Sequence, residues 1–69
     1  MTKQEKELVK KIEDVMSRKN IVGNPEDLYS IEKKSTNHYI GVVNIGNLTA
    51  EAKGKDLKTT VKNLTKEIK

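Results

Sequence analysis

The sequence has no cysteine, no tryptophan and no phenylalanine, and it has one proline and one histidine in 69 residues. Without cysteine there is no disulfide, no thiolate metal site and no cysteine nucleophile. A single histidine with no cysteine supplies too few ligands for a metal centre, so we expect no metal and no cofactor. Tyr29 and Tyr39 are the only aromatic residues, too few for the stacking platform on which single-strand binders hold successive bases. No stretch approaches the ~18 apolar residues of a membrane span, or the apolar run of a signal peptide. The expectation is a soluble, cytoplasmic protein with no membrane partner.

What is present is short and charged: 33% of the residues are hydrophobic and 35% are charged. A chain of this size buries only about 60% of the surface its unfolded form exposes. We therefore read residues 1–69 as a single domain with a thin core, and expect no deep pocket for a small-molecule substrate. The net charge is +4, and it is not spread evenly. Residues 1–52 hold eight basic and eight acidic side chains, whereas residues 53–69 hold six lysines against Asp56 and Glu67. All the excess lies at the C-terminal end.

Residues 2–19 read as an amphipathic helix. Thr2 and Glu5 have the spacing of a capping box, and Leu8, Val9, Ile12, Val15 and Met16 share one face. The helix should stop near Asn20, because Gly23, Asn24 and Pro25 do not continue it, and residues 20–27 read as a linker. Beyond Pro25 the pattern alternates. Gly46-Asn47 suits a type II′ turn with glycine at the positive φ, which sets Ile45 against Leu48, Val43 against Ala50 and Gly41 against Ala52. For the preceding hairpin, a two-residue loop Ser35-Thr36 would mix Glu32 into the apolar face. A three-residue loop Ser35-Thr36-Asn37 sets Tyr29 against Val43 and Ile31 against Gly41, and is preferred. The other face then carries Ser30, Glu32, His38, Ile40, Val42, Asn44, Thr49, Glu51 and Lys53.

Residues 56–69 return to helical spacing, with Asp56 as N-cap and Leu57, Val61, Leu64 and Ile68 as a narrow apolar stripe. The fold class expected is α+β, in the order α-β-β-β-α: a three-stranded antiparallel sheet with both helices packed on one face. The opposite sheet face is left open, with Ile40 and Val42 at its centre.

On the last helix Lys55, Lys58, Lys62, Lys66 and Lys69 fall inside an arc of about 80°, turned away from the apolar stripe. Lysine is a solubilising helix former, which explains part of this. A row of long cations about 20 Å in length is also the surface that tracks backbone phosphates, since that contact needs charge and not shape. Lys34 and His38, in the first hairpin, are candidates for a second phosphate contact. His38 has no positioned serine or carboxylate partner, and nothing brings Glu32 and Glu51 together as an acid and base pair. One glycine, Gly54, before a helix is far short of a phosphate-binding loop. An enzyme is the least supported class.

The element order, together with a strand His38 to Ile45, the tight Gly46-Asn47 turn, a strand ending Ala52-Lys53-Gly54 and a basic last helix, resembles the double-stranded-RNA-binding domain over essentially the whole chain. In that family a Lys-Lys-x-Ala-Lys cluster opens the last helix and clamps phosphates across the major groove, and the first hairpin carries Gly-Pro-x-His. The corresponding residues here are Leu57-Lys58-Thr59-Thr60-Val61, retaining Lys58 with Lys55 and Lys62 nearby, and Ser35-Thr36-Asn37-His38, retaining the histidine. The resemblance implies a non-enzymatic module that contacts duplex RNA, and the same shape resembles small three-stranded domains that bind duplex DNA. A second resemblance, over residues 39–68, is to the HicB-type antitoxins. It is carried by Tyr39-Ile40-Gly41-Val42-Val43, by Ala52-Lys53-Gly54-Lys55-Asp56-Leu57, and by Val61, Asn63, Leu64 and Ile68. It implies a protein partner, as for an antitoxin or a phage-encoded inhibitor, met through the open sheet face at Ile40 and Val42.

Overall fold

A computed structural model gives the fold of residues 2–68. The chain runs α1 (Lys3–Lys19), a 3-10 turn (Pro25–Leu28), β1 (Tyr29–Ser35), β2 (His38–Ile45), β3 (Leu48–Gly54) and α2 (Leu57–Glu67). The strands form one antiparallel sheet in the order β1-β2-β3.

The start of α1 is set by its capping box. The Thr2 hydroxyl accepts from the Glu5 amide at 3.2 Å, and the Glu5 carboxylate accepts from the Thr2 amide at 3.4 Å. Its end is set by Asn20, which adopts the left-handed region at φ 56. That reversal lets the Ile21 amide donate back to the Met16 carbonyl at 2.9 Å, closing the last turn. The segment read as a linker is partly ordered. Asn24 accepts from the Glu26 amide at 3.1 Å and Pro25 supplies a pre-set φ, so residues 25–28 form a turn of 3-10 helix.

The second hairpin has the expected register, Ile45 opposite Leu48 through Gly41 opposite Ala52. Gly46 takes φ +60 while Asn47 does not have a positive φ, the signature of a type II′ turn. In the first hairpin the expected pairs Tyr29–Val43 and Ile31–Gly41 are present, but the loop differs from the three-residue reading. Ser35 pairs with His38, the ladder slips between Lys33 and Ser35, and Lys34 is left over as a bulge. Asn37 absorbs the reversal at φ 60, which asparagine tolerates better than most residues.

Both helices pack on one sheet face. Leu8, Ile12, Val15 and Met16 from α1 meet Val61, Leu64 and Ile68 at α2 and Val43, Ile45 and Ala52 from the sheet. The apolar stripe expected on α2 needs one correction. Leu57 is 44% exposed, and Thr60 is the residue fully buried in that turn. Thr60 lies on Gly54, the last residue of β3, so the turn ahead of it has no sheet beneath it and Leu57 overhangs. Thr60 tolerates burial because its hydroxyl donates to the Asp56 carbonyl at 2.7 Å. Its seat needs the missing side chain of Gly54, where a Cβ would stand 2.5 Å from Thr60 Oγ1 and 2.7 Å from the Thr60 backbone nitrogen.

Among the described residues no helix is long and apolar enough to cross a membrane.

Candidate nucleic-acid interface

The register fixes which basic residues share a neighbourhood. Gly54, from which the chain turns into α2, lies opposite Tyr39, and Tyr39 lies opposite Lys33. The turn between β1 and β2 and the start of α2 therefore occupy the same end of the sheet. Lys34 and His38 on the hairpin thus share one end of the sheet with Lys55, just before the helix cap, and Lys58 in the first turn of the helix, although some 20 residues separate them in the chain. Lys62 and Lys66 are not part of that end. They continue down α2, with Lys66 about 12 Å along the helix axis from Lys58. Lys69 lies outside the described residues.

Lys55, Lys58, Lys62 and Lys66 are all exposed, and none of them is ion-paired among the described residues. With Thr60, Val61 and Leu64 buried on the inner side, the helical positions of Lys58, Lys62 and Lys66 face away from the core. Lys55, expected on the helix, instead precedes its N-cap Asp56, because α2 begins only at Leu57. Lys34 differs. Its Nζ lies 3.2 Å from Glu32 Oε1 in an exposed pair, a contact worth at most about 1 kcal/mol. Such a pair gives way readily to a phosphate. His38 is half-buried, opposite Ser35.

Two further cations belong to this end and were not singled out by charge patterning along α2. Lys33 holds its Nζ 6.0 Å from the centre of the Tyr39 ring, at the outer limit of a cation–π contact. Lys53 stands on the open face opposite Ile40. The signal for both was available in the strand register, which places residues 33, 39 and 54 in one row and 40 and 53 in the next.

Two side chains fix how α2 presents its lysines. Asn63 donates from Nδ2 to the Lys53 carbonyl at 2.9 Å, which ties the middle of the helix to the outer edge of β3. At the helix start the Asp56 carboxylate accepts from the Thr59 amide at 2.7 Å. That hydrogen bond and one from the Thr59 hydroxyl hold the Asp56 pKa below its ordinary 3.8 against the opposing effect of burial, and the charges of Lys55 and Lys58 add to the lowering. Asp56 is thus a fixed negative charge within the basic end, engaged by the helix it caps.

Compared with known protein families, curated proteins and solved structures, the chain matches none.

The concavities of the surface are open grooves. One of about 410 Å³ runs between β3 and α2, lined by Glu51, Lys53, Asn63, Lys66 and Glu67, and another of about 400 Å³ lies beside Lys11, Asp14, Arg18 and Ile68. Both are walled by charges of both signs. Among the described residues no three histidine, aspartate or glutamate side chains are grouped as metal ligands would be. The arrangement is suited to contact with an extended polyanion: cations at one end of the sheet, and a row of further cations leading away along one rigid helix.

Proposed function

We propose that this protein is a small, non-enzymatic, cytoplasmic module that binds the backbone of duplex RNA or DNA. Lys55, Lys58, Lys62 and Lys66 contact phosphates along the duplex, and Lys34 with His38 makes a second contact from the hairpin end. The observation that supports this reading is the placement of three exposed lysines on the outer side of α2 and a fourth, Lys55, just before its cap, none ion-paired among the described residues, with the helix starting at the same end of the sheet as the basic β1–β2 turn. Contacts of this kind carry no base identity, so the binding is expected to be insensitive to sequence.

The test is the salt dependence of duplex binding. Neutralising four to five phosphates gives a slope of log K against log salt near about −4, and each lysine removed should lower its magnitude by about 1. A Lys58→Ala/Lys62→Ala double variant should then lose about 2 from the slope while unfolding like the parent. Absence of binding at low ionic strength, or a slope unchanged in the double variant, would refute the proposal.

A second reading, a protein partner of the antitoxin-like or inhibitor kind on the open sheet face, is favoured by Ile40 and Val42, which are partly exposed there. It requires an Ile40→Glu variant to lose a stoichiometric partner that the parent retains.

A further inference from the structure

The sheet face turned away from the helices carries Ser30 and Glu32 from β1, Ile40, Val42 and Asn44 from β2, and Thr49, Glu51 and Lys53 from β3. The register arranges them in rows across the strands: Glu32, Ile40, Lys53; then Ser30, Val42, Glu51; then Asn44, Thr49. The two β-branched side chains lie at the centre, and acids and bases lie on either side. The face itself carries Glu32 and Glu51 against Lys53, and Lys34 of the bulge adds one cation 3.2 Å from Glu32 in an exposed pair, so the face has none of the excess charge that a duplex would need.

We infer that this face is a contact between two copies of the chain, related by a two-fold axis running along β2. Such an axis lays β1 of one copy over β3 of the other, row upon row. Ile40 then meets the partner's Ile40 and Val42 meets the partner's Val42. Glu32 meets the partner's Lys53, twice by symmetry, and Glu51 meets the partner's Ser30. No like charges oppose one another in these rows. The shape agrees with the charge. A hollow of about 170 Å³ lies beside Val42, lined by Leu28, Ser30, Val42 and Asn44 among others, and the operation brings the partner's Thr49 over it.

The area sets the strength. Three strands about 4.8 Å apart and about seven residues long make a patch near 340 Å² on each copy, or about 700 Å² in total. Stable interfaces bury about 1,200–2,000 Å², so the dimer is a weak one that fills only at high concentration. Because α2 packs on the other face, each copy keeps its lysine row on the outside, and one dimer presents two rows on opposite sides. The contact does not depend on the duplex reading.

The experiment is an NMR and sedimentation series without nucleic acid, from about 20 μM to about 2 mM, a range that brackets association through an interface this small. Concentration-dependent shifts are expected at Glu32, Ile40, Val42 and Lys53, and not along α2. Lys53→Glu and Glu32→Lys should each weaken association about fivefold or more, because each swap sets like charges opposite one another twice. The Glu32→Lys/Lys53→Glu double variant should restore it. A chain that stays monomeric throughout the series would overturn the inference. So would shifts confined to α2 or to the sheet edges, or a double variant no better than the singles.

Discussion

Replacing Gly54 by alanine should destabilise the protein, and the sign of the effect is the test. Gly54 does not have a positive φ, so its backbone accepts any residue. On conformational entropy alone Gly54→Ala should stabilise the fold by about 0.4–1 kcal/mol. Packing opposes this. The new Cβ would stand 2.5 Å from Thr60 Oγ1, 2.7 Å from the Thr60 nitrogen and 3.0 Å from its Cα. Two of these three atoms are backbone, so no rotamer change relieves the clash. The first turn of α2 must lift by several tenths of an ångström or more, which loosens Thr60, Val61 and Leu64 together. Overpacking of this kind costs about 1–3 kcal/mol. With the larger figure, and the entropic gain subtracted, the net loss is about 2 kcal/mol. In a domain of this size that lowers Tm by roughly 8–16 °C. Thermal and urea unfolding followed by circular dichroism measures it. Gly41→Ala serves as the internal comparison. Its Cβ would meet Leu64 Cδ2 at 3.1 Å and Thr60 Cγ2 at 3.3 Å, side-chain atoms that need yield only a few tenths of an ångström, so its cost should be smaller than that of Gly54→Ala, about 1 kcal/mol. A Gly54→Ala/Thr60→Ala variant removes only the hydroxyl contact and should recover little. A Gly54→Ala protein as stable as the parent, or more stable, would refute the reasoning.

The remaining predictions concern pH and the buried hydroxyl. Asp56 is held below its ordinary pKa, so its contribution is present above about pH 4, where the unfolded carboxylate is also ionised, and is lost as the pH falls through the folded value. Tm measured between pH 7 and pH 2 should therefore fall less steeply on the acid side for Asp56→Asn, which keeps a capping oxygen with no charge. Tyr29 is raised above its ordinary 10.0, first by burial and then by the carboxylates of Glu5 and Glu26. The unfolded phenol ionises first, so stability should decline as the pH rises past about 10, and an ultraviolet titration of a Tyr39→Phe variant should show phenolate forming above the ordinary tyrosine range. Thr60→Val keeps the shape of a fully buried side chain and removes its bond to the Asp56 carbonyl. A loss of about 1 kcal/mol is expected in urea unfolding, and an unchanged midpoint would show that the hydroxyl contributes nothing.

Much of the fold could be read from residue order because the signals were local. The parity of β2 and β3 and the Gly46-Asn47 turn determine every pair from Ile45–Leu48 to Gly41–Ala52. Thr2 and Glu5 locate the first helix by a contact over three residues. The features that were not legible depend on where elements end relative to one another. A helical wheel places Leu57 on the inner side of α2, where it is 44% exposed; the wheel contains nothing about the sheet stopping at Gly54. The bulge at Lys34 is similar, since the apolar register of Tyr29 and Ile31 is satisfied whether or not one extra residue is stored near the turn. The lysines of α2 were visible as a row. That the row begins at the same end of the sheet as Lys34 and His38 came from the sheet bringing residues 33, 39 and 54 into line, and so did the inclusion of Lys33 and Lys53.

The way α2 sits on β3 divides that helix lengthwise into two independent texts. Thr60, Val61 and Leu64 are committed to the seat on Gly54 and Gly41 and to the core, and Asn63 to the edge of β3. Among the described residues Lys58, Lys62 and Lys66 make no ion pair and no side-chain hydrogen bond, and Lys58 adds only its charge beside the Asp56 cap. Substitutions at such positions usually change stability by less than about 0.5 kcal/mol and combine additively. The outer half of the helix can therefore be rewritten, in charge or in chemistry, at almost no risk to the scaffold, whereas a single methyl group added at Gly54 beneath it costs about 2 kcal/mol. Mutational tolerance along these eleven residues should rise and fall with the helical repeat.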